Sequence, residues 1–126
     1  MSKRGPTGPQ RHKAGVNASI QRLIAFGCLV AENKQGAGMV KFPSGAERYI
    51  TWGLFKGEGA DILGFAPGGW GLAVEFKVPP DKPSKEQLDF LRRVARLGGI
   101  ALVVYDDEDT LLPDLKAALL KKRSKR

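Results

Sequence analysis

Apolar residues change their spacing several times along the chain, and each change marks an element. From Asn17 to about Val30, Ile20, Leu23, Ile24 and Cys28 recur at helical intervals, which predicts an amphipathic first helix. "ENKQGAG" breaks that pattern. "MVKF" and "ERYITW" then flank Pro43-Ser44-Gly45, so residues 38–53 read as a β-hairpin. "ADILGFA" predicts a third strand and "WGLAVEFKV" a fourth, joined by the turn Pro67-Gly68-Gly69. Pro79 and Pro80 end the fourth strand, because proline cannot donate to a ladder.

After Pro83, the stretch Ser84-Lys85-Glu86-Gln87 has the form of a capping box, in which Ser84 caps the Gln87 amide and Gln87 reaches back. Leu88, Leu91, Val94 and Ala95 supply the buried stripe of that helix, and Gly98-Gly99 a left-handed stop. "IALVVY" is apolar throughout, as expected of a strand covered on both faces. A last helix is expected over 109–122, with Pro113 in its first turn and basic residues at its C-terminal end. The sum is a mixed α/β domain without internal repeats.

A length of 126 residues suits one domain. Its 42% hydrophobic and 27% charged residues are those of an ordinary globular protein. No apolar run reaches the roughly 20 residues of a membrane span. The basic, Gly/Pro-rich N-terminus has no apolar stretch behind it and is not read as a secretory signal. A cytoplasmic setting is expected. Cys28 has no partner for an internal disulfide and reads as a small buried hydrophobe.

The net charge of +8 changes the picture once it is located. Lys3, Arg4, Arg11 and Lys13 lie in residues 1–16, read as a flexible basic arm. Lys121, Lys122 and Arg123 open a basic tail over 121–126. All 13 acids fall between the basic ends, leaving the intervening chain slightly acidic. Such ends suit a polyanion such as DNA, with Lys56 a further candidate contact, and they equally serve solubility.

The candidate chemistry lies in "GEGADILGFAPGGWGLAVEFKV". Side chains alternate along a strand, so Glu75 and Lys77 share one face while Val74, Phe76 and Val78 take the other. If 61–66 and 70–78 pair, Asp61 joins them, and two carboxylates and one amine form a single patch. Hard oxygen donors in that number suit Mg²⁺ or Mn²⁺, and a neighbouring lysine suits phosphodiester hydrolysis. No Ser-His-acid set is available, because the only histidine, His12, lies in the arm. Gln87 has two compatible readings, as a cap and as a hydrogen-bonding group at the patch. Gly57 and Gly59 serve either a turn or a close backbone approach, and Glu58 faces either metal or water. Trp52 and Trp70 suit packing or base stacking.

In order and spacing, "GEGADILGF", "AVEFK", "PSKEQLDFL" and "GGIALVV" resemble the VRR-NUC domains of the PD-(D/E)xK nuclease superfamily, in particular its small stand-alone forms. The resemblance covers about residues 17–118 and sets the expected domain at 17–120. It implies a restriction-endonuclease-like αβββαβ core, with a mixed central sheet flanked by helices, and a metal-dependent nuclease site. Asp61 and Glu75 resemble the family's metal-binding acids, Lys77 the lysine of its E-x-K motif and Gln87 the glutamine opening the next helix. The backbone carbonyl of Phe76 would be a further ligand by the same analogy. One position departs from the family: its first helix carries a glutamate four residues before a glutamine, and counting back from Gln21 gives Asn17. Asn17 is then either a weaker ligand or only a helix cap.

The resemblance implies a Mg²⁺- or Mn²⁺-dependent endonuclease without an organic cofactor. Stand-alone relatives look like homodimers that cut branched DNA such as four-way (Holliday) junctions. A nucleic-acid-binding protein whose site is weakened at Asn17 is the alternative. A sequence-specific restriction nuclease fits less well, since little chain is left for a base-reading module.

Overall fold

The computed structural model describes residues 5–34, 36–55 and 59–124, with all their side chains except that of Trp52. Helix α1 (Gly8–Phe26) begins well before Asn17. Its start is a capping box: the Thr7 hydroxyl accepts from Gln10 N at 3.2 Å, and Gln10 Oε1 accepts from Thr7 N at 2.8 Å. Pro9 sits in the first turn, where its missing N–H costs nothing. The expectation of a flexible arm over residues 1–16 is therefore corrected: from Gly8 onward it is helix. The same helix stops earlier than expected. Gly27 adopts φ 112°, the left-handed geometry a side chain disfavours, and its amide closes onto Ile24 and Leu23. Leu29–Glu32 then form strand β1, whose first two residues the sequence reading places in the helix.

The hairpin follows as β2 (Gly36–Lys41) and β3 (Glu47–Trp52), with Gly45 at positive φ in its turn. It forms a two-stranded sheet of its own. Next come β4 (Ile62–Ala66), β5 (Trp70–Lys77), α2 (Lys85–Arg96), β6 (Ile100–Tyr105) and α3 (Leu111–Ser124). Residues 121–124, expected in a tail, are thus the last turn of α3. The main sheet has the order β1-β4-β5-β6. Its first three strands are antiparallel, while β6 runs parallel to β5 across the α2 crossover. With the hairpin set apart, the elements run αβββαβα, an αβββαβ core followed by α3. This is an α/β fold with a mixed sheet between helices.

Both faces of the sheet are covered. Val74, Phe76 and Val78 of the β5 segment pack with Val16, Leu23, Leu111 and Leu115 on the α1–α3 side. Ala73 packs with Phe90 and Leu91 of α2 on the other. Each fully buried Leu, Ile or Val contributes about 1.5–3 kcal/mol, so these two layers fix the direction of every β5 side chain. Gly64 brings β1 against β4: a Cβ there would meet Leu29 O at 2.0 Å. Asn33, just after β1, ties down the base of the hairpin. Its amide donates to Asp61 O at 2.7 Å, its Nδ2 to Leu54 O and Ala60 O, and its Oδ1 accepts from Leu54 N. Among the described residues no helix is long and apolar enough to cross a membrane.

Candidate functional site

The β4–β5 register pairs Ile62 with Val74, and one further step places Asp61 opposite Glu75. Residues facing each other in this way have Cβ atoms roughly 4.5–5.5 Å apart, and like charges there oppose each other. Glu75 is only 1% exposed. Its Oε1 accepts from Gln87 Nε2 at 3.4 Å and faces Lys77 Nζ at 3.7 Å. Its Oε2 is buried and meets no hydrogen-bond donor among the described residues. Burial first, and then the neighbouring Asp61 carboxylate, push the Glu75 pKa up to about 8, with Lys77 pulling the other way. The pair is therefore short of one positive species, either a proton or a cation.

Asp61 is held from two sides. Its Oδ2 accepts from the Phe76 amide at 2.8 Å, which fixes the carboxylate against β5. The same oxygen lies 3.2 Å from His12 Nε2. His12, Asp61 and Glu75 each present one ligand atom within 4.8 Å of the others. Carboxylate oxygens with an imidazole nitrogen make a donor set that fits a divalent cation, and the orphaned Oε2 gives that cation something to satisfy.

His12, which the sequence reading places in an arm, lies instead in the first turns of α1. A helix beginning at Gly8 carries His12, Val16, Ser19 and Leu23 down one face, and the last three of these are buried. Gly15 lets this face come close: a Cβ there would meet the Phe76 ring at 2.0 Å. The same ring stands edge-on to His12, with centroids 6.0 Å apart. Arg11 Nε donates to Asp106 Oδ2 at 2.8 Å and Arg22 to Asp109 at 2.6 Å, both acids lying in the β6–α3 loop. The signal that finds His12 in the sequence is Thr7-x-x-Gln10, the same cap that marks α2.

Asn17, read as either a weaker ligand or a helix cap, lies in the middle of α1 and is no cap, and its side chain is exposed. The residue of α1 that reaches Asp61 is His12 instead. Gln87 fulfils its reading as a cap, since its Oε1 accepts from Ser84 N at 2.9 Å, and its Nε2 donates to Glu75 Oε1 at 3.4 Å. Phe76 enters the site through its amide. Gly59 is buried where a Cβ would meet Leu54 O and Asn33 Nδ2, which makes it a packing glycine.

Of the expected DNA contacts, Arg11, Lys13, Lys121, Lys122 and Arg123 lie within the described residues. Lys3, Arg4, Lys56, Gly57 and Glu58 lie outside the described residues. Arg11 is engaged with Asp106 rather than free for a phosphate. Lys13 is exposed on α1. Lys121, Lys122 and Arg123 share the last turn of α3, with Lys122 Nζ 4.9 Å over the Trp70 ring. Comparison of the chain with protein-family models, with curated proteins and with solved structures finds no match.

Proposed function

We propose that the protein is a divalent-metal-dependent endonuclease that hydrolyses phosphodiester bonds of DNA, at branch points such as four-way junctions. The observation that carries this reading is the Asp61–Glu75 pair, with Glu75 buried, its Oε2 orphaned and Lys77 beside it. The branched substrate and a homodimeric state rest on the VRR-NUC resemblance alone. A cytoplasmic location, where such DNA would be met, is part of the same proposal.

Asp61 and Glu75 would hold Mg²⁺ or Mn²⁺, with the Phe76 carbonyl as a further donor. A cation bound there supplies charge neutralisation at the phosphate and eases deprotonation of the attacking water. The chain does the rest. The Phe76 amide keeps Asp61 aimed, the Gln87 amide steadies Glu75 Oε1, and the Lys77 ammonium is placed to stabilise negative charge as the phosphate is attacked. An exposed apolar groove of about 510 Å³, lined by Leu54, Phe55, Phe65 and Leu97 among others, is a face on which a second copy could pack.

The test is cleavage of labelled four-way junctions and matched duplexes in Mg²⁺ or Mn²⁺. Wild type is expected to cut at the branch, with losses of about 100-fold or more in Asp61→Asn and Lys77→Ala. Equal cutting by all three proteins would remove these residues from the chemistry. The second reading, binding without turnover, is favoured by one feature: α1 contributes an imidazole and no acid to the cluster. It predicts tight, steeply salt-dependent junction binding with no product under either metal.

A further inference from the structure

We infer that His12 is a direct ligand of the cation, so that the site selects nitrogen-accepting divalent metals, Mn²⁺ among them, over Mg²⁺. This rests on the cation site proposed above and adds its third side chain and its metal preference. His12 Nε2 already lies 3.2 Å from Asp61 Oδ2, within the 4.8 Å cluster that includes a Glu75 oxygen. The buried Glu75 Oε2 has no donor among the described residues, so something cationic is wanted where these groups converge.

The imidazole is carried by a rigid element. Gly15 and the Phe76 ring hold α1 against β5, and Arg11 fastens the helix start to Asp106. Asp61 Oδ2 receives the Phe76 N–H whether or not His12 donates to it. Nε2 can therefore offer its lone pair to a metal while the ring proton sits on Nδ1. Mg²⁺ demands oxygen donors and near-ideal octahedral geometry, whereas first-row transition metals accept imidazole readily. One nitrogen among the side-chain ligands therefore turns a site for a hard ion into one with a preference.

The experiment measures binding of the metal alone to the full chain, by calorimetry and by electron spin-echo spectroscopy of bound Mn²⁺. Wild type is expected to bind Mn²⁺ about tenfold or more tightly than Mg²⁺ and to show ¹⁴N modulation. His12→Ala should lose that modulation and most of the preference. His12→Glu should lose the modulation and gain Mg²⁺ affinity, and a native circular dichroism spectrum certifies each variant. Mn²⁺ bound by wild type without ¹⁴N modulation, or an unchanged preference in His12→Ala, overturns the role of His12 while leaving the Asp61–Glu75 site standing. Failure of wild type to bind either metal overturns both.

Discussion

Helices α1 and α2 begin alike and serve one site from opposite faces of the sheet, yet they supply different chemistry. Each opens with a hydroxyl residue followed three positions later by glutamine, Thr7–Gln10 and Ser84–Gln87. In α2 the glutamine of the cap is also the group that reaches Glu75, so helix start and site are one feature. In α1 the cap only sets the helix in place, and His12, further along, reaches Asp61. The anchors differ too. Phe90 and Leu91 bury α2 in an apolar layer, whereas α1 relies on Val16 and Leu23 together with a bare glycine contact and two ion pairs. The apolar part of each helix is written plainly in its sequence; the part of α1 held by close approach and ion pairing is not.

The largest expected effect asks whether the single amide from α2 is enough for Glu75. The folded protein holds a proton on Glu75 up to about pH 8, while the unfolded chain releases it near pH 4.5. Stability should therefore be greatest below about pH 4.5 as far as this group is concerned, and should fall, by a few kcal/mol in order of magnitude, as pH rises through about 8. Denaturant titrations across that range measure it. Glu75→Gln should flatten the profile, and saturating Mn²⁺ at the alkaline end should restore stability to wild type but not to the variant. A flat wild-type profile would mean that the α2 amide and Lys77 already satisfy the carboxylate.

Next comes the close approach of α1. Gly15→Ala drives a methyl into the Phe76 ring and should cost about 1–3 kcal/mol despite the better helix propensity of alanine. Arg92→Ala, on the exposed face of α2, should change stability by no more than about 0.5 kcal/mol. Thermal melts of the two variants side by side would show whether α1 is the helix held by shape.

The caps give a smaller effect. Thr7→Ala and Ser84→Ala should each cost about 1 kcal/mol. Their glutamines should separate the two helices: Gln87→Ala should weaken the Mn²⁺-induced rise in melting temperature, and Gln10→Ala should leave it unchanged. The ion pairs come last. Arg22→Ala should cost about 0.5 kcal/mol or less, since Asp109 is 79% exposed, and Arg11→Ala should cost more because Asp106 is largely buried. Equal losses for the two would mean that burial at Asp106 carries no weight.

Most of the layered fold was legible. Alternation along "WGLAVEFKV" put Glu75 and Lys77 on one face, and the structure finds Val74 and Phe76 packed on the other. The Ser84 cap, the Gly98 stop and the strand "IALVVY" fall where the pattern puts them. Strand β1 was hidden because four residues at a sheet edge, three of them exposed, carry no alternation, and Leu29 and Val30 continue the preceding helical rhythm. Gly27 was the stop signal that this rhythm masked. His12 was hidden for a compositional reason: its neighbours are glycine, proline and basic residues, the usual content of a loose tail. Periodicity reports which residues are buried in fat, and His12 is held by neighbours that period alone does not reveal.

Asn33 carries a consequence for how this chain can be altered. One amide side chain and its backbone N–H bind Leu54, Ala60 and Asp61, the residues that close the excursion from β1 to β4. The spacing of the gap is set at its mouth, not by the ribbon that loops out of it. Replacing the ribbon by a shorter link that keeps Asn33, Leu54 and Ala60 is therefore expected to leave Asp61 opposite Glu75.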